Sequence, residues 1–118
     1  MNVTAIARQV WSAAVPDRNW PRGLGVYLVD PATKPPQLSR RLWKLLLRAG
    51  GLTIWYKRDM MMIYLVARPL ARVLSTLLHE FAHVIAGPDV YHEAAYWQIE
   101  ERIVSAIAAF DRRRGGEG

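Results

Sequence analysis

Leu70-Ala71-Arg72-Val73-Leu74-Ser75-Thr76-Leu77-Leu78-His79-Glu80-Phe81-Ala82-His83 is the stretch on which the reading of this chain turns. It is strongly apolar up to Leu78 and free of Gly and Pro, and Gly87-Pro88 follows it. That pattern predicts a buried helix that starts near Pro69 and stops at Gly87. Within it lies an H-E-x-x-H pattern. On a helix, residues four apart share one face, one turn apart. Both imidazoles then reach a single metal ion. Glu80 lies about 100° round the helix from His79, close enough to act as a base on a metal-bound water. Histidine and glutamate on a buried face need a partner, and a metal ion is a good one. The competing reading is an amphipathic helix with two surface histidines and a solvated glutamate.

The chain has three histidines, and His79, His83 and His92 fall within fourteen residues. A catalytic zinc site takes three protein ligands and a water. Two residues compete for the third place. His92 lies just past the Gly87-Pro88 break, where the chain can reverse towards the metal. Glu100 falls at the edge of the apolar face that Tyr96, Ile99, Ile103, Ile107 and Phe110 give the last helix. Glu101 falls nearly opposite and is predicted to be solvated. Glu93 shares the stripe of Glu100 but sits at the helix start, where an acid is favourable anyway.

Composition narrows the chemistry. The 118 residues fit one domain, 1–118, and 52% of them are hydrophobic, enough for a real core. There is no Cys, so disulfides and thiolate metal sites are excluded. His, Asp and Glu remain as ligands, a set that suits zinc. The N-terminus lacks the pattern of a signal peptide. No apolar run reaches the roughly 18 residues that span a bilayer. The chain therefore reads as cytoplasmic, with no membrane partner. Its net charge of +6 reads either as a solvated surface or as attraction to nucleic acid or an acidic partner. The charges look spread along the chain. The one dense run, Arg112-Arg113-Arg114, reads as part of a flexible basic tail over 112–118.

The fold class predicted outward from the motif is α+β. A helix is predicted over Asn2 to Ala14, with Ile6, Val10 and Ala14 inward. A strand follows over Leu24 to Val29, then a proline-rich loop. A second helix covers Leu38 to Arg48. Leu38, Leu42, Leu45 and Leu46 face in, Ser39, Arg41, Lys44 and Arg48 face out, and Gly50-Gly51 stops it. Leu52 to Lys57 and Met61 to Val66 read as strands joined by a turn at Arg58-Asp59. Met60-Met61-Met62 reads as core filler beside a strand or as a methionine-rich binding surface. The last helix is predicted from about Tyr91 to Arg113.

Leu77-Leu78-His79-Glu80-Phe81-Ala82-His83 resembles the active helix of zincin metallopeptidases. His92, followed four and five residues later by Tyr96 and Trp97, resembles the SprT-like, WLM and YgjP-like group, as does the Ile63-Tyr64-Leu65 strand ahead of the helix. A rival resemblance is to the ImmA/IrrE-type peptidases and minigluzincins, in which Glu100 would replace His92 on the metal. The resemblance implies a minimal zincin-like domain. A small three-stranded sheet would pack against the active helix and a C-terminal helix, with additional N-terminal helices. It implies a zinc endopeptidase in which His79, His83 and His92 hold Zn2+ and Glu80 is general base. Tyr91, Tyr96 or Arg72 would steady the transition state. A protein or peptide substrate would lie along a sheet edge as an added strand. Two other readings use the same residues. One is a metal-stabilised binding module, its site closed by Asp89 or Glu100. The other is metal-dependent RNA hydrolysis, which the basic charge favours and the glutamate of the motif does not.

Overall fold

The computed structural model describes residues 1–89 and 92–117, with side chains as far as Arg112. The elements are α1 Thr4–Ala14, β1 Leu24–Val29, α2 Arg40–Ala49, β2 Gly51–Lys57, β3 Met60–Val66, α3 Leu70–Ala86 and α4 Ala94–Glu117. The class is α+β. The three strands form one mixed sheet in the order β1-β3-β2. β1 runs parallel to β3, and β2 runs antiparallel to it.

The central strand is buried on both faces, and its alternation divides the core. Met61, Ile63 and Leu65 point to one side, where they meet Trp11, Leu77, Phe81 and Tyr96. Tyr64 and Val66 point to the other, where Leu38 and Leu46 cover them. α1 and α3 lie on the first side and α2 on the second. α4 packs on α3 and α1, and its Tyr96 and Ile103 join the core on the first side of the sheet.

Two predicted helix faces are rotated. In α1 the buried residues are Ala7, Trp11 and Ala14, while Ile6 is 63% exposed. Trp11 sets the phase. It meets Phe81 and Trp20 edge-on, with ring centroids 5.0 and 5.7 Å away, and its Nε1 donates to the Arg18 carbonyl at 3.0 Å. A side chain of that area outweighs an isoleucine in choosing the face. In α2, Leu46 is buried while Leu45 is exposed. Trp43 and Leu47, four apart, join Leu42 against the sheet and turn the contact away from Leu45.

The helix limits follow local chemistry. Ser39 caps α2 by accepting from the Leu42 amide at 3.2 Å, so Leu38 lies outside the helix yet is buried. Gly50 ends it in the left-handed region, at φ 83°. α4 starts at Ala94, and the helix is continuous to Glu117 where a tail was expected from Arg112. Arginine near a helix C-terminus suits the helix dipole. Among the described residues, no helix is long and apolar enough to cross a membrane.

Candidate metal centre

α3 carries His79 and His83 one turn apart, with their ring centroids 4.9 Å apart. After Gly87 the chain reverses, and His92 comes back over both rings, at 5.2 Å from His79 and 4.9 Å from His83. One ring nitrogen from each of the three histidines lies within 4.8 Å of the other two. The Nε2 atoms of His83 and His92 are 3.0 Å apart. Two nitrogens on one tetrahedral zinc stand about 3.3 Å apart, given bonds of about 2.0–2.1 Å. The pair is thus nearly at the spacing that a shared ion imposes. The three residues fit a metal ion.

Tyr96 underlies the cluster. It is fully buried, and its ring centroid lies 4.5 to 5.3 Å from those of the three histidines. Its hydroxyl is 2.6 Å from His79 Nδ1 and donates to the His79 carbonyl at 3.1 Å. With that proton committed, the phenol oxygen accepts from Nδ1–H, and Nε2 keeps the lone pair that a metal needs. Burial, followed by the charge of Glu100, pushes the Tyr96 hydroxyl well above its ordinary value, so it stays protonated. Trp97 packs on His92 from the exposed side, at 5.5 Å between centroids.

Burial acts on the histidines too. It pushes His83 down to about 4, with the neighbouring His79 and His92 adding to the effect. The neutral imidazole is the form that binds metal. Glu80 is 4% exposed and is the buried charged side chain of the core. Burial pushes its carboxyl up to about 7, against the Thr53 hydroxyl, which donates to Oε1 at 2.9 Å and favours the ionised form. Thr53 reaches Glu80 because β2 and α3 touch. A Cβ on Gly51 would lie 2.4 Å from Thr76 Cγ2 and 3.3 Å from Glu80 Cγ. The bare glycine permits that approach.

Glu100 stands behind His79 and outside the nitrogen cluster. Its Oε1 is 3.5 Å from His79 Nδ1, and its Oε2 is buried without a hydrogen-bond partner. A cleft of about 270 Å³ opens beside the cluster, lined by Gly51, Thr76, His79, Glu80 and Glu100. Asp89 is exposed and has no place in the cluster. Arg72 is exposed and is not among the grouped histidines. Tyr96 holds His79 from behind. Tyr91 lies outside the described residues. The structure thus brings together His79, Glu80, His83, His92 and Tyr96, with Glu100 at their rim.

Thr53 escaped the sequence reading. Its signal was a polar side chain at the inward position between Gly51 and Trp55 on a strand. A buried polar group is more informative than a buried apolar one.

The edges of the sheet are unequal. The outer edge of β1 is taken by the N-terminus: Leu28 N–H donates to the Met1 carbonyl at 2.8 Å, and Val3 N–H to the Val26 carbonyl at 2.9 Å. Among the described residues, the outer edge of β2 pairs with no strand. It is the edge beside Glu80. No family model, curated protein or solved structure matches this chain.

Proposed function

We propose that the protein is a zinc-dependent peptidase that hydrolyses peptide bonds at the His79–Glu80–His83–His92 centre. The observation that carries this reading is a buried carboxylate held by Thr53 next to three converging imidazoles. His79, His83 and His92 would hold the ion. When bound, zinc supplies Lewis acidity for the carbonyl and brings the ionisation of water to near neutral pH.

The remaining steps belong to the protein. Glu80, with its carboxyl at about 7, is poised to take a proton from the attacking water and return it to the leaving amine. A base works best with its pKa near the working pH. Thr53 holds Oε1 in place and leaves Oε2 for the water. Tyr96 fixes the tautomer of His79. The free edge of β2 offers backbone groups to an extended peptide, which would lie along the cleft beside Glu80. The three-histidine cluster favours the SprT-like, WLM and YgjP-like resemblance over the gluzincin one. His92 is in the cluster, and Glu100 stands behind His79.

The test is metal analysis together with hydrolysis of fluorescent casein. The expected result is one zinc per chain and a cleavage activity that a chelator removes and zinc restores. A folded protein that takes up no divalent metal at these histidines would end the proposal.

A further inference from the structure

The positive charge is segregated, contrary to the even spread that the sequence suggests at first sight. From Pro31 to Arg58 the chain has seven Lys and Arg and no Asp or Glu. The other 90 residues carry nine cations against ten acids. All of the excess therefore belongs to β2, α2 and the loop ahead of α2. α2 lies on the face of the sheet away from the histidines. Its Arg40, Arg41, Lys44 and Arg48 are all exposed, and it contains no acid to pair with them.

Beside α2 the same sheet face is bare. The helix covers Val29, Tyr64 and Val66 and leaves the other end open. There a hollow of about 560 Å³ is lined by Gly25, Tyr27, Gln37, Tyr56, Met60 and Met62. Tyr56 is 47% exposed and Met60 49% exposed. A Cβ on Gly25 would come within 2.8 Å of the Met62 sulfur, so the glycine keeps the floor low. Tyr27 stacks on Tyr64, and the Tyr64 hydroxyl meets that of Tyr56 at 3.3 Å, which holds the rings in place. Cations bracket this bed in the chain. Arg40 and Arg41 follow Gln37 at the first turn of α2, and Lys57, which ends β2, and Arg58, then the acid Asp59, precede Met60.

We infer that this face binds single-stranded nucleic acid, with phosphates on the α2 and β2 cations and bases against Tyr56 and Tyr27. Aromatic rings and basic groups on one surface are what an unpaired strand needs, since its bases offer free flat faces. The methionines add soft, adaptable contacts to the bed. A duplex keeps its bases inside and would use the cations alone. The surface lies on the opposite side of the sheet from His79, so the inference stands whether or not the metal centre cleaves peptides.

The test is fluorescence anisotropy with a labelled 20-nucleotide oligothymidylate, measured on the intact protein from 50 to 200 mM salt. Tight, salt-dependent binding is expected, with the matching duplex held more weakly. Arg40→Glu with Lys44→Glu should weaken binding and flatten the salt dependence by about 0.7 in the log–log slope per lost contact. Tyr56→Ala should weaken binding roughly tenfold while leaving the slope alone. Arg18→Glu, on the other side of the molecule, should change neither. Circular dichroism of each variant separates lost binding from lost fold, and Tyr56→Phe, which keeps the ring, should bind like the wild type. Three results would overturn the inference: no binding at 50 mM salt, equal binding of duplex with no effect of Tyr56→Ala, or binding to phosphatidylserine vesicles without binding to the oligonucleotide.

Discussion

The two faces of the sheet handle polar groups in opposite ways. On the α3 face, polar side chains are tied to one another, from buried Glu80 with Thr53 and Tyr96 with His79 to the exposed His92 with His83. On the α2 face, the buried residues are apolar or tyrosine, and Arg40, Arg41, Lys44 and Arg48 stay in solvent. A buried polar network is costly unless it is satisfied. The α3 face carries a buried carboxylate in such a network, whereas the α2 face ties only the Tyr64 and Tyr56 hydroxyls to each other. The solvated cations make no such claim on the fold, and their work is confined to what approaches from outside.

The largest effect that would sharpen this contrast is on activity. Glu80→Gln keeps the size of the side chain and the contact with Thr53 but removes the base. Hydrolysis of casein should fall by about a thousandfold or more while zinc content stays at one per chain. Reversal of the α2 cations should leave cleavage of a short neutral peptide unchanged. Surviving activity in Glu80→Gln would remove the special status of the α3 face.

Next in size is the loss of a ligand. His92→Ala should lower zinc affinity far more than the roughly 10- to 100-fold typical of an outer partner. Glu100→Ala should stay within that lesser range, because Glu100 meets His79 on the side away from the cluster. Isothermal titration with zinc distinguishes them. If Glu100→Ala proved the more damaging, the carboxylate would be the ligand and His92 a bystander. Tyr96→Phe should cost about tenfold in the same titration. It removes the hydroxyl that sets the His79 tautomer and keeps the ring under the cluster.

Much of this was legible before the fold was. The three strands, the limits of α3 and the pairing of His79 with His83 follow from periodicity, from proline and glycine, and from the four-residue spacing, while His92 and Glu100 competed for the third place. Side-chain competition was less legible. Ile6 reads as inward until Trp11 turns the buried face to Ala7, and Leu45 loses its place to Trp43 and Leu47. Least legible were contacts distant in sequence. Thr53 and Glu80 are 27 residues apart, and only the approach permitted by Gly51 makes them partners. The N-terminus likewise covers the outer edge of β1 and not that of β2, which no local pattern encodes. The charge segregation was in the sequence throughout, but its significance came from finding α2 and β2 beside one open face.

The smallest effect is the pH response of the zinc-free protein, where buried Glu80 and half-buried His83 of the α3 face oppose each other. Glu80 moves from an ordinary 4.5 up to about 7, because burial disfavours its charge. Between those values the folded chain keeps a proton that the unfolded chain has released. Stability therefore falls as pH rises through that window and levels off above it. His83 moves from an ordinary 6.5 down to about 4, again chiefly by burial. There the unfolded chain holds the proton and the folded chain refuses it, so stability rises with pH from about 4 to 6.5. From 4.5 to 6.5 the two slopes cancel, each being about 1.4 kcal/mol per pH unit. Urea denaturation of the zinc-free wild type should show little net dependence from this pair across that range. Glu80→Gln removes one slope. Its stability relative to the wild type should climb from pH 4.5 to 7, by about 3 kcal/mol in all, and hold steady above. A difference that stayed flat over that range would mean that Glu80 is ionised while buried, and the α3 face would then be holding its charge with a partner other than Thr53.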